Sequence, residues 1–227
     1  MEKAANGRHP VFDLIEVMAR LRSPKGGCPW DLEQNHQSIR FYSVEEAYEL
    51  IDAIEARDDY EMVEELGDLL LQVIFHAQMA SERGAFDFAQ VCRREVDKLV
   101  SRHPHVFGDK KLRTAEGVLS QWEQLKRAEK TGTRYERPSI LDGIPKHLPA
   151  LLRAEKLLKK GRKAALVERP ERRRAVRKDQ LGKQLFELVK VAQGNGWSAE
   201  DLLRAENRKQ ERELRRKESA RSRRKDS

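Results

Sequence analysis

Apolar residues recur at helical spacing along most of this chain. Val11, Leu14, Ile15, Met18 and Leu21 form one stripe, which predicts a helix over residues 10–21. A second stripe, Val44, Ala47, Tyr48, Ile51 and Ile54, predicts a helix starting near Ser43. Asp58 or Asp59 is placed to cap a third helix that runs to about Glu82 and stops at Gly84. Further helices are expected over 87–102, ended by Pro104, and over 114–130. The C-terminal part predicts a short helix over 149–160, a longer one over 178–193, and a last one over 199–217 capped by Ser198. The stretch around Cys28-Pro29-Trp30-Asp31 reads as a loop from its proline and glycine content. No stretch alternates at period two, so the fold class is all-α, built from paired helices.

Charge changes the picture because it is unevenly spread. The net charge of +8 divides into −5 over residues 1–150 and +13 over 151–227. The basic half alone would point to anionic partners, and the acidic half argues against extending that to the whole chain. No apolar run is long enough to span a membrane, and the N-terminus carries no apolar signal core. Cys28 and Cys92 lack metal-type spacing and read as reduced thiols, which fits a cytoplasmic protein.

The third predicted helix is apolar on nearly every side from Leu69 to Met79, the pattern of a buried helix. Glu65 and Asp68 nevertheless sit at its upstream end on one face, and Gln72 and His76 continue that face. The preceding helix carries Glu45, Glu46, Glu49 and Asp52 opposite its apolar stripe. A short turn at 57–59 would bring the two acidic faces together. Carboxylates converging in a core repel one another, and a hard divalent cation such as Mg²⁺ or Mn²⁺ resolves that. A purely structural alternative stands beside this: Ser43-Val-Glu-Glu46 also matches a capping box, with acids favouring a helix start.

Glu45-Glu46-Ala-Tyr-Glu49 followed by Glu65-Leu-Gly-Asp68 resembles the EExxE…ExxD signature of the all-α nucleoside triphosphate pyrophosphohydrolases. Cys28-Pro29-Trp30-Asp31 with Gln34 and His36, Arg102-His-Pro-His-Val-Phe107 and Trp122-Glu-Gln-Leu-Lys126 resemble the MazG branch in particular, and the likeness covers about residues 9–158. The resemblance implies that Glu46, Glu49, Glu65 and Asp68 bind magnesium. It implies hydrolysis of nucleoside triphosphates to monophosphate and pyrophosphate, with Glu46 or Glu45 as acceptor of the water's proton. Lys98 and Arg102, one turn apart, become candidate triphosphate contacts, and Trp30 a candidate partner for the base. His103 and His105 shape the same region, and His76 reads as a hydrogen-bonded core histidine.

Residues 65–78 also align with 180–193, where Gln180 replaces Glu65 and Lys183 replaces Asp68. This half resembles the second MazG domain of longer family members, with Asn207, Lys209 and Arg212 as remnants of its basic segment. The helix that should carry a second EExxE is missing, and a basic stretch over 159–178 stands in its place. The organisation expected is a catalytic domain over 1–130, a linker with a connecting helix over 131–158, a degenerate repeat over 159–218 and a disordered tail over 219–227. The expected function is Mg²⁺-dependent triphosphate hydrolysis, with cleaning of aberrant nucleotides as a role, in a homodimer or higher oligomer. The rival is a catalytically silent helical scaffold that binds nucleic acid or partners through its basic half.

Overall fold

The computed structural model describes residues 9–111, 114–168 and 177–223. Ten helices and no strands are found among the described residues: α1 (Pro10–Leu21), α2 (Pro29–Glu33), α3 (Tyr42–Ala56), α4 (Asp59–Glu82), α5 (Phe88–Arg102), α6 (Pro104–Phe107), α7 (Ala115–Ala128), α8 (Ala150–Lys163), α9 (Lys178–Gly194) and α10 (Ala199–Arg223). The all-α expectation holds. Two compact units divide the chain, residues 1–118 and 119–227.

In the first unit, local chemistry sets the helix ends. Pro10 stands at the first turn of α1, where its missing N–H is harmless. Arg57 closes α3 in the left-handed conformation, with φ 58°. Asp58 then accepts hydrogen bonds from the backbone N–H groups of Tyr60 and Glu61 and opens α4. That two-residue turn folds α3 back along α4. Asp87 and Gln90 form a reciprocal capping box at the start of α5. Met18, Ile39, Ile74, Phe75 and Met79 make the core, with Leu14, Ile15, Leu21, Leu71 and Phe88 packed around it.

Three details depart from the sequence reading. The Cys-Pro-Trp-Asp segment is not all loop, because Pro29 starts the short helix α2. Pro104 ends α5 and also opens α6. Ser43 lies inside α3, whose N-cap position is Phe41 with no side-chain cap, so the capping-box reading of Glu46 is excluded.

In the second unit, Leu141, Ile144, Leu157, Leu166 and Leu214 form the core. Residues expected to belong to a linker thus supply part of that core. Buried polar groups pin it: Arg153 pairs with Glu211 at 2.6 Å, and the Asn207 side chain donates to the Ala150 carbonyl at 2.8 Å. Asn207, expected as part of a basic segment, is therefore turned inward. α10 continues to Arg223, so residues 219–223 of the expected tail are helical, and 224–227 lie outside the described residues. The basic residues 172–174 lie outside them too.

Both units leave large apolar faces exposed. Val44, Tyr48, Ile51 and Ile54 on α3 and Val63, Leu66 and Val73 on α4 are each more than a third exposed. On α9 the same holds for Leu181, Leu185, Phe186, Leu188 and Val191. No described helix is long and apolar enough to cross a membrane.

Candidate metal centre

The α3–α4 hairpin brings acids from two helices to one place. Glu46, Glu49 and Glu65 each offer a carboxylate oxygen, and these atoms lie within 4.8 Å of one another. Oxygens sharing one octahedral Mg²⁺ stand at most about 4.2 Å apart. Small side-chain rotations would let the three share an ion. Asp68 lies outside that triple but adds its field to Glu46 and Glu65. Glu45 is exposed and is not part of the triple.

The electrostatics are those of negative charges left uncompensated. Burial pushes the Glu46 carboxyl above its usual range, and the shared hydrogen bond with Glu49 and the charges of Asp68, Glu49 and Glu65 push it the same way. Loss of solvent likewise raises Glu65, assisted by Glu49, Asp68, Glu64 and Glu61. Every electrostatic influence named here is another carboxylate. Glu65 Oε2 is also a buried acceptor without a hydrogen-bond partner. A buried anionic oxygen with neither donor nor cation is unfavourable. All-oxygen donors of this kind fit a hard divalent ion.

Around the acids, Gln72 is buried on α4 and donates from Nε2 to Glu46 Oε1 at 3.3 Å. One turn further on, His76 Nδ1 lies 2.8 Å from His36 Nδ1, with the two rings near parallel. Burial, then the neighbouring His36, lowers the His76 pKa. The expected hydrogen-bonded histidine is thus present, and its partner comes from the segment ahead of α3. Trp30 packs near Tyr42 and Phe75, with ring centres 6.5 and 6.4 Å away, and half of its surface stays open. Lys98 pairs with Glu95 on its own helix, and Arg102 is buried in the last turn of α5, which packs on α4. His103 and His105 lie side by side, 5.5 Å between ring centres.

The Glu46–Gln72 contact and the His36–His76 pair are not evident from the sequence. The only sequence signal was the continuation of one helical face, Glu65, Asp68, Gln72, His76.

The described fold is all-helical, and two neighbouring helices present a cluster of carboxylates whose donor set suits a hard divalent ion. The sequence pattern of the MazG nucleotide pyrophosphohydrolase domain matches residues 34–107, a stretch that contains the whole acidic cluster together with Lys98 and Arg102. A nucleoside triphosphate pyrophosphohydrolase of Escherichia coli K12 is 41% identical over 225 aligned residues, covering 89% of this chain and 84% of that protein. An uncharacterised 26.1 kDa protein of Streptomyces cacaoi is 43% identical over 197 residues, covering 86% of this chain and 77% of its own. The nucleoside triphosphate pyrophosphohydrolase/pyrophosphatase MazG of Thermotoga maritima is 46% identical over 145 residues, covering 64% and 54%. The chain belongs to the MazG nucleotide pyrophosphohydrolase family.

Proposed function

We propose that the chain hydrolyses nucleoside triphosphates to the monophosphate and pyrophosphate, with Mg²⁺ or Mn²⁺ held by Glu46, Glu49, Glu65 and Asp68. The observation that carries this reading is the convergence of carboxylate oxygens of Glu46, Glu49 and Glu65, with Glu65 also carrying a buried oxygen that has no hydrogen-bond partner. The named activity of the Escherichia coli and Thermotoga maritima relatives supports it. When bound, a divalent ion supplies positive charge to the phosphate oxygens and acidifies water. The chain's own groups do the rest. Glu46, which faces the cluster while Glu45 is exposed on the same helix, is the proposed proton acceptor. Lys98 and Arg102 contribute charge-assisted hydrogen bonds to the triphosphate. Trp30, anchored on one side and open on the other, packs against the base.

The exposed apolar faces of α3, α4 and α9 favour a homodimer or higher oligomer, since a monomer would leave extended apolar surface in water. The two free cysteines fit a reducing cytoplasm, where the role proposed is removal of unwanted nucleotides from the pool. The basic second unit has no second acidic set, because Gln180 and Lys183 stand where Glu65 and Asp68 would. Turnover is therefore assigned to the first unit. The test is incubation of the full chain with a panel of ribo- and deoxyribonucleoside triphosphates and Mg²⁺, with pyrophosphate and monophosphate quantified together. Equimolar release of both supports the proposal. Release of inorganic phosphate with diphosphate, or no release at all, contradicts it.

A further inference from the structure

We propose that Gln72 is a positioning residue of the metal centre, holding Glu46 in register for the ion through its side-chain amide. The inference rests on the hydrolase reading above. Gln72 is only 7% exposed, and its Nε2 reaches Glu46 Oε1 across the α3–α4 hairpin at 3.3 Å. Its Oε1 is a second buried acceptor without a partner, as is the Oε2 of Glu65. Burying a glutamine amide with half of its hydrogen-bonding capacity unused is unfavourable by packing criteria alone. An apolar residue would fill a helix–helix seam at lower cost.

The chemistry of the cluster explains an amide at this point. Glu46 must present one oxygen to a cation while its other oxygen is fixed. A lysine or arginine donor would fix it but would also neutralise the charge that attracts the ion. A carboxylate would add repulsion. A neutral amide donates a hydrogen bond without competing with the metal, the usual task of groups that orient ligands from behind. The internal repeat agrees. The position aligned with Gln72 is Glu187, which is exposed and pairs with Lys190 at 2.9 Å. The second copy has thus lost this amide together with the acids at Gln180 and Lys183.

The test uses the full chain, Mn²⁺ as the probe, and Gln72→Met, which keeps length and apolar bulk but removes the donor. Binding is measured by the electron paramagnetic resonance of free Mn²⁺, and turnover is followed as a function of Mn²⁺ concentration. The expected result is a dissociation constant weakened about 10- to 100-fold. The Mn²⁺ concentration for half-activation should rise by a similar factor. If circular dichroism shows that the methionine variant does not fold, Gln72→Asn, with its amide withdrawn by one methylene, carries the same expectation. Unchanged Mn²⁺ affinity in a folded variant overturns the role of Gln72 and leaves the hydrolase reading intact. Absence of Mn²⁺ binding by the unaltered chain overturns both.

Discussion

Arg22 grips Glu82 with two parallel hydrogen bonds, Nε to Oε1 and Nη2 to Oε2, each 2.7 Å long. The pair ties the end of α1 to the last turn of α4, 60 residues away in sequence. The same guanidinium donates to the backbone carbonyls of Asp31 and Gln34 and lies over the Phe75 ring. It therefore holds the segment that carries Trp30 and His36 against α4. Lysine cannot reproduce a two-pronged contact. Arg22→Lys should lower unfolding free energy by about 2 kcal/mol, read from urea denaturation. The Arg22 hydrogen bonds keep the Glu82 carboxyl below its usual range, so their contribution is present at neutral pH. It is lost as pH falls through the acid range. An Arg22→Lys protein as stable as the parent would contradict this.

The His36–His76 pair predicts a second pH dependence. Folding lowers the His76 pKa, so just below the ordinary histidine value the folded chain holds fewer protons there than the unfolded chain. Stability from this group is complete above about pH 6.5 and falls as pH drops toward the folded value. Melting temperatures of the parent and of His76→Gln, measured from pH 7.5 to 5.5, should diverge, with the parent losing more. Parallel curves would remove the effect.

Crowded carboxylates impose a trade between stability and metal binding. Glu49 has like charges on both sides, from α3 and α4. Without metal at pH 7.5, Glu49→Gln should therefore melt about 1–3 °C higher than the parent. Added Mn²⁺ should raise the melting temperature of the parent and leave that of the variant nearly unmoved. The opposite order, with the parent insensitive to Mn²⁺, counts against a shared ion.

Lys98 offers a cleaner test of phosphate contact than Arg102, whose burial would mix folding with binding. Lys98→Ala should raise KM for a nucleoside triphosphate about tenfold, the worth of one hydrogen bond to a charged group. Its unfolding free energy should change by less than about 0.5 kcal/mol. An unaltered KM would leave Lys98 a surface residue paired with Glu95.

Helix existence was legible because its signals are local. Pro10, Asp58, Asp87 and Ser198 announce starts, and the helices begin beside each of them. The joining of Glu46 and Glu49 to Glu65 was legible from helical spacing and a short turn. What the pattern missed depends on contacts distant in sequence. Arg22 reads as an ordinary charged residue until Glu82 is brought to it. Cys28-Pro29-Trp30-Asp31 reads as loop because proline both breaks helices and starts them. Ser43 has the right spacing for a cap, yet α3 begins at Tyr42, two residues before the Val44 start that such a cap requires.

Pyrophosphate release from the parent, Glu49→Gln and Asp68→Asn, at matched Mg²⁺ and triphosphate concentrations and with folding checked by circular dichroism, decides whether these acids hold an essential ion. The parent should turn over, and both folded variants should lose at least about 100-fold in rate, as expected when ligands of an essential ion are removed. Turnover by either variant at the parent's rate would show that these carboxylates do not hold the ion on which catalysis depends.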